Sequence, residues 1–388
     1  MRKREFDFWL LFTVLVLLTI GMVMVFSASS YFASFNMNNK FYFLLRQLLW
    51  GGVGVISMYI FSNIDYRRVA LVSPIILAIS IILLILVLFL GTNVNGSTRW
   101  FNFGFTSFQP SELAKLALIL FLSFSLSKNS EKLKFFFKGL VPYLLLVGFI
   151  GFLLYEEPHM SCIILIAIVA VIIIFCAGAK IWHFILLAAP ALFLGWQVVM
   201  SDEYRRERFL SFLDPFKYPQ GSGYQVINSL YAIASGSIFG RGLGKSLQKY
   251  LYIPEPQNDF IFSILAEELG FVGALTVVVL FVFLIWRGIK IAMNAPDMMG
   301  SLMAIGITSL IAVEVIINIA VVTSTIPATG MPLPFISSGG TSLLFMLIGV
   351  GILLNISKNK GLGYNPVRDF KRDKARFIVD GKAGGYSK

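Results

Sequence analysis

Asp259 stands at the head of an apolar run, with Glu255 just before it and Glu267 and Glu268 just behind, in PEPQNDFIFSILAEELG. A carboxylate in that place reads either as a helix N-cap or as a catalytic base held where membrane meets water. The second reading gains from the stretch that leads into it, which carries Arg205, Arg206, Arg208, Lys217, Arg241, Lys245 and Lys249. At about 100° per residue, Glu267 lies ~80° round a helix from Asp259 and Glu268 about opposite it. The two glutamates cannot share one cavity, so a structural role against neighbouring helices is expected for them. Lys115, Glu314 and Asn318 fall inside apolar runs. Burying an ionisable group in a membrane is costly, which makes such residues functional candidates. The competing reading is a charge pair that locks two helices. Glu314 and Asn318, at i and i+4, share a face.

Other chemistries find little support. GLGKS at Gly242–Ser246 imitates the end of a P-loop, but the motif's first glycine would fall on Phe239, and no strand precedes it. Its glycines could form a nest for a phosphate, with Arg241 and Lys245 beside it, or only a flexible turn; both readings stand. His159 and His183 have no spaced partners for zinc and read as interfacial polar residues. Cys162 and Cys176 share one apolar run, ~21 Å apart if helical, too far for a disulfide.

These residues are carried by a chain of 388 residues that is 57% hydrophobic and 13% charged, with a mean hydropathy of +0.81. A soluble domain averages about 25% charged, so this is an integral membrane protein. The net charge of +12 would suggest nucleic acid in a soluble protein. In a membrane chain it reflects basic cytoplasmic loops, and no nucleic acid partner is expected.

The fold expected is all-α, with about ten transmembrane helices and one large extracytoplasmic loop between helices 7 and 8. The apolar runs are Phe8–Ala28, Phe43–Phe61, Ala70–Leu90, Leu113–Leu126, Leu140–Tyr155, Met160–Ala177, Ile181–Met200, Phe260–Trp286, Ser301–Thr323 and Thr341–Ile356. Lys and Arg crowd one set of short loops, which puts both termini in the cytoplasm. Residues 1–357 then form one membrane domain, with 200–259 as the outer loop, and 358–388 a basic, disordered cytoplasmic tail. Two more outer loops stand out. Gly91–Lys115 ends in Pro110, Ser111 and Glu112, a helix start with an acid in its first turn. Ser324–Ser342 holds three prolines and three glycines, Gly339 and Gly340 following Ser338. Irregular backbone near membrane depth must be buried in protein or line a wet cavity.

With these motifs the chain resembles the SEDS polymerases, the group of RodA, FtsW and SpoVE. The likeness runs from Phe8 to about Ser357. It rests on NGSTRWFNFGFTSFQPSELAK, RRERFLSFLDPF, GYQVINSLYAIASGSIFGRGLGKSLQKYLYIPEPQNDFIFSILAEELGFVG and IPATGMPLPFISSGGTS. GLGKSLQKYLYIPEP looks more like the division and sporulation branch than RodA. Two positions depart from the family pattern. His159 follows Glu157-Pro158 where an aspartate is usual, and Glu314 stands where glutamine is common.

The resemblance implies a peptidoglycan glycosyltransferase that uses lipid II, works with a class B penicillin-binding protein, and sits in the bacterial cytoplasmic membrane among other division or sporulation membrane proteins. By position, Asp259 matches the family's essential aspartate. A base suits a sugar hydroxyl, a poor nucleophile, and fixed cations suit a pyrophosphate leaving group. Arg99, Lys115, Arg208, Arg241 and Lys245 are the candidates to hold pyrophosphates, Arg99 and Lys115 first. Glu112, Glu267, Glu268, Glu314, Asn318, Ser338, Gly339 and Gly340 are expected to support the site. A divalent cation, magnesium or manganese, is an expected cofactor with no visible ligand set; no nucleotide is expected. A lipid II flippase or a non-catalytic division scaffold is the alternative.

Overall fold

The computed structural model describes residues 6–94, 97–104, 106–219 and 221–359. The expected tail from 360 onward and the basic residues Arg2, Lys3 and Arg4 lie outside the described residues. Among those described, nine helices are long and apolar enough to cross a membrane, and Met160–Cys176 is a shorter apolar helix. In order these are α1 (Phe8–Met37), α2 (Tyr42–Asn63), α3 (Tyr66–Leu90), α4 (Pro110–Asn129), α5 (Val141–Glu156), α6 (Met160–Cys176) and α7 (Ile181–Met200). Two helices of the long loop follow, α8 (Glu203–Leu213) and α9 (Ser222–Gly236), then α10 (Ile261–Met293), α11 (Met298–Val322) and α12 (Gly340–Lys358). The chain is a multi-pass membrane protein.

Two expectations are modified. The stretch between α3 and α4 is not a plain loop. Strands β1 (Thr92–Val94), β2 (Ser97–Asn102) and β3 (Ser107–Phe108) form an antiparallel sheet in the order β1-β2-β3. Trp100 and Phe101, aromatic residues that suit a pleated surface, lie on its middle strand. The stretch from 200 to 259 is not irregular throughout either, since α8 and α9 occupy it. α9 packs against α10.

The interior is built on α4, α11 and α12, whose inward faces are continuous with one apolar core. Small residues bring the helices close, as is usual where lipid removes the hydrophobic drive for association. Gly351 lets α12 approach α2 so closely that a Cβ there would lie 2.6 Å from the Met58 carbonyl. α10 is broken. Gly270 takes φ 69° and ψ −171°, outside any helix, and divides the first turns, Ile261 to Leu269, from the long remainder.

Candidate active site

Asp259 does not cap the helix it precedes. α10 begins at Ile261 with Phe260 as its N-cap, and no side chain caps it. The Asp259 side chain instead faces the loop between α11 and α12. A Cβ on Gly330, itself left-handed at φ 72°, would lie 3.4 Å from Asp259 Oδ2. Glycine there leaves the carboxylate room. The side chain has no hydrogen bond among the described residues. Burial pushes its carboxyl up to about 6, and Glu255 adds to the rise, while Arg208 and Arg99 work against it. A half-buried carboxylate near that value can both lose and regain a proton at neutral pH.

The backbone around Asp259 is fixed by side chains that reach in from elsewhere. Asn318 Nδ2 donates to the Asp259 carbonyl at 2.8 Å and to the Met331 carbonyl at 2.7 Å. It thereby ties α11, the head of α10 and the 324–339 loop at one point. Ser337 Oγ donates to the Asn258 carbonyl at 2.7 Å and accepts from the Leu333 N–H at 2.8 Å. The Ser338 N–H donates to the Gln257 carbonyl at 2.9 Å. Gln47 of α2 reaches the Ser337 carbonyl at 3.3 Å. Gly340 opens α12 against the Trp50 ring, where a Cβ would lie 2.6 Å from Nε1, and Gly339 is the N-cap residue.

Two arginines reach this loop and its neighbour. Arg208 of α8 donates to the Ala328 carbonyl at 3.2 Å. Arg99 of β2 donates through Nε to the Glu157 carbonyl at 2.9 Å, and through Nη2 to the Pro158 carbonyl. Ser161, at the start of α6, donates to the Thr329 carbonyl. The α5–α6 turn, the small sheet, α8 and the 324–339 loop therefore meet around Asp259. Inside that turn Glu157 is fully buried, and neither carboxylate oxygen has a hydrogen-bond partner among the described residues. Burial pushes it up to about 8, against the pull of Arg99. His159 is buried within the protein, and burial, Arg99 and Lys115 all lower its basicity.

Lys115 is 3% exposed. Its Nζ lies 2.8 Å from Glu112 Oε2 and 2.6 Å from Glu314 Oε1. The ammonium is already compensated by two carboxylates, so this geometry favours the helix lock over direct contact with pyrophosphate. Lys115 joins α4 to α11 beneath the turn that holds His159.

Arg241 and Lys245 lie elsewhere. They are exposed on the glycine turn, next to the break at Gly270 rather than next to Asp259. The broken helix leaves the carbonyls of Glu267 and Glu268 without helical partners. They accept from the N–H groups of Arg241 and Gly242, each at 3.0 Å. On the other side of the break, Phe271 and Val272 donate to the carbonyls of Ser237 and Ile238 at 2.9 and 3.1 Å. Gly240 and Gly270 are both left-handed and pack backbone to backbone, leaving no room for a Cβ.

The end of GLGKS and the residues after it are bound by two glutamates of α10. Glu267 accepts from Ser246 Oγ, from the Leu247 N–H at 2.9 Å and from the Gln248 N–H at 3.3 Å. Glu268 accepts from the Ser246 N–H at 3.3 Å, from Lys249 Nζ at 3.0 Å and from Ser27 Oγ at 2.7 Å. Within the turn the Ser246 N–H goes to Glu268, the Gly242 N–H to the Glu268 carbonyl and the Lys245 N–H to the Gly242 carbonyl. Adjacent glutamates reach one turn because the turn wraps round the helix that carries them.

Sequence reasoning missed Gln47, Glu157, Gln257, Ser337 and Lys249 as site-supporting residues. Gln47 gave a signal as an amide within an apolar run, and Lys249 as one of the cations leading to Asp259. Gln257 is buried with no partner for its side-chain amide among the described residues, and nothing in its neighbours announces that.

Known proteins share this architecture. The family model FTSW_RODA_SPOVE, described as "Cell cycle protein", matches residues 8–361. Stage V sporulation protein E of Bacillus subtilis (strain 168) is 46% identical over 361 residues, which is 92% of this chain and 98% of that one. A probable peptidoglycan glycosyltransferase FtsW of Trichlorobacter lovleyi is 39% identical over 358 residues, covering 92% of this chain and 94% of that one. Among solved structures, a chain from a peptidoglycan synthase complex that coordinates polymerization and crosslinking superposes with a TM-score of 0.76 at 28% identity. That match covers 92% of this chain and 98% of that one. The rod shape determining protein RodA of Thermus thermophilus gives 0.67 at 26% identity, with 92% and 98% covered. The match across nearly the whole described chain, with the loops around Asp259 inside it, makes this protein a member of the FtsW, RodA and SpoVE family.

Proposed function

We propose that this chain polymerises glycan strands from lipid II at the outer face of the bacterial cytoplasmic membrane. One observation carries the reading: a half-buried carboxylate, Asp259, poised near 6 within the field of two arginines from separate elements. Asp259 takes the proton from the 4-hydroxyl of the acceptor's N-acetylglucosamine. That oxygen forms a bond to the anomeric carbon of the lipid-linked donor strand, with inversion. The bond to the pyrophosphate breaks as the new one forms, and the undecaprenyl pyrophosphate leaves with the electron pair. Arg99 and Arg208 stabilise the charge that develops on it. Arg241 and Lys245 offer a second cationic point for a lipid phosphate. Bond energy comes from the pyrophosphate, so the step needs no nucleotide. Among the described residues no three His, Cys, Asp or Glu side chains gather as a metal site. A divalent ion would have to be held largely by substrate phosphates, and no step is routed through one.

Lys and Arg asymmetry supports an orientation with both termini cytoplasmic and the 200–259 segment outside. The relatives support a class B penicillin-binding protein as partner, together with other division or sporulation membrane proteins. Purified full-length protein supplied with lipid II, with and without its cognate penicillin-binding protein, tests the reading. Glycan polymer is the expected product. Transbilayer movement of lipid II without polymer would favour a flippase, and neither activity would favour a scaffold. In intact cells, a cysteine at Ser222 should label from outside and one at Lys132 should not; the reverse overturns the orientation.

A further inference from the structure

Lys249 is a buried cation that the proposed chemistry does not use. It is 4% exposed. Its Nζ donates to the Gly244 carbonyl at 2.7 Å, to Glu268 Oε1 at 3.0 Å and to Ser27 Oγ at 3.4 Å. An ammonium has three donors, and here each goes to a different segment: the glycine turn, the first part of α10, and α1. The glycine turn has little stiffness of its own, because Gly242 and Gly244 are left-handed at φ 97° and 77° and glycine is permissive there. Its fixed shape comes from outside, from Glu267 and Glu268 on the Ser246 hydroxyl and N–H at its end and from Lys249 on its Gly244 carbonyl. The two exposed cations Arg241 and Lys245 ride on that turn. The helix that holds it is the one that Asp259 precedes, and Glu267 lies ~12 Å of helix beyond Asp259.

We propose that Lys249 is a positioning residue: it clamps the glycine turn to the short helix behind Asp259. Arg241 and Lys245 are thereby presented to a phosphate-bearing lipid at a set distance from the base. The clamp stands on the geometry alone; its use in substrate binding rests on the proposed function. A plain core ion pair would stabilise the fold without affecting substrate affinity, and this separates the two roles. Lys249 also links the turn to α1 through Ser27, so the turn cannot shift without disturbing three segments at once.

The test uses the full chain in lipid nanodiscs on a Cys176→Ser background, with spin labels at Leu243→Cys on the turn and Thr276→Cys on α10. Lys249→Met is combined with Glu268→Gln, so that no buried carboxylate is left without its cation. Lys249→Arg keeps the charge and serves as the milder variant should the double variant fold poorly. The wild-type label distance should be narrow, broaden severalfold in the double variant, and stay close to wild type with Lys249→Arg. With lipid II as the probe, KM should rise ~10-fold in the double variant while kcat stays within ~3-fold. The acid limb of the pH profile, set by Asp259, should not move. A distance as narrow as wild type in the double variant overturns the clamp. A broadened distance with unchanged KM overturns its role in substrate binding. If the wild-type chain makes no glycan, the functional reading fails, and the label distance still decides the clamp.

Discussion

Asp259 and Glu268 stand on the same short stretch of chain, and their surroundings differ in kind. Glu268 is fully buried and accepts from Ser27, from the Ser246 N–H and from Lys249, while its neighbour Glu267 is saturated by the same turn. Asp259 is half-buried, has no side-chain hydrogen bond among the described residues, and feels two arginines at a distance together with the repulsion of Glu255. Donors around a carboxylate fix its position, which suits a joint. Burial with few donors raises its proton affinity, which suits a base. The lesson is that acidic residues close in sequence are sorted into roles by the donors around them, not by their type.

If that contrast is right, mutation should divide the two regions. The largest effect on stability is expected at the saturated end. Glu268→Ala or Lys249→Ala leaves a buried charge without its partner and should cost ~3–5 kcal/mol, read as loss of folded, monodisperse protein on heating. Wild-type stability in either variant would break the contrast. Lys115→Ala belongs to the same class, since it strands Glu112 and Glu314. It should misfold, and Glu314→Gln should rescue part of the loss. A well-folded Lys115→Ala protein with weak lipid II use would return Lys115 to the substrate contacts.

At the under-satisfied end, effects should appear in rate rather than in folding. Arg99→Ala and Arg208→Ala each remove a charge-assisted contact worth ~1.5–3 kcal/mol, or ~10–100-fold in kcat/KM. Each should also move the acid limb of the pH profile upward, because both arginines hold the Asp259 carboxyl down. Wild-type rates from both variants would remove the arginines from the site. The effect of Glu255→Gln should be smaller and opposite in sign, since it removes a neighbouring negative charge and shifts the acid limb to lower pH. For the wild-type protein, activity should fall as pH drops below about 6, where Asp259 takes up its proton. The folded carboxyl sits above its ordinary value of 3.8, so its ionisation lowers stability as pH rises through that interval. Asp259→Asn should therefore be as stable as wild type at neutral pH, or slightly more so, by ~1 kcal/mol. Clear destabilisation would mean that the carboxylate holds structure after all.

Much of this could be read from sequence. The ten apolar runs match ten apolar helices among the described residues, and the charge-rich approach to Asp259 singled it out. Lys115 and Glu314 announced themselves by interrupting apolar runs. What stayed hidden depends on contacts between distant segments. The break at Gly270 is invisible because LAEELGFVG continues an apolar pattern, and the segment that fills the gap, Ser237 to Gly242, lies well upstream. The meeting of Arg99 with the α5–α6 turn joins elements 58 residues apart, and nothing local encodes it. Glu157 reads as an ordinary acid at a helix end until its burial is known. The sheet at 92–108 was missed because a glycine- and polar-rich stretch between two membrane helices reads as loop.

The central claim is that the aspartate at the head of α10 is the base and the glutamates behind it are not. Asp259→Asn keeps the shape of the side chain and its acceptor oxygen but cannot readily take a proton. The measurement is the rate of glycan formation from lipid II by purified Asp259→Asn protein, with folding, membrane insertion and partner binding checked on the same preparation. The account predicts a well-folded, partner-bound protein whose rate is down by ~10²–10⁴-fold. Polymerisation at the wild-type rate by that same protein would contradict it.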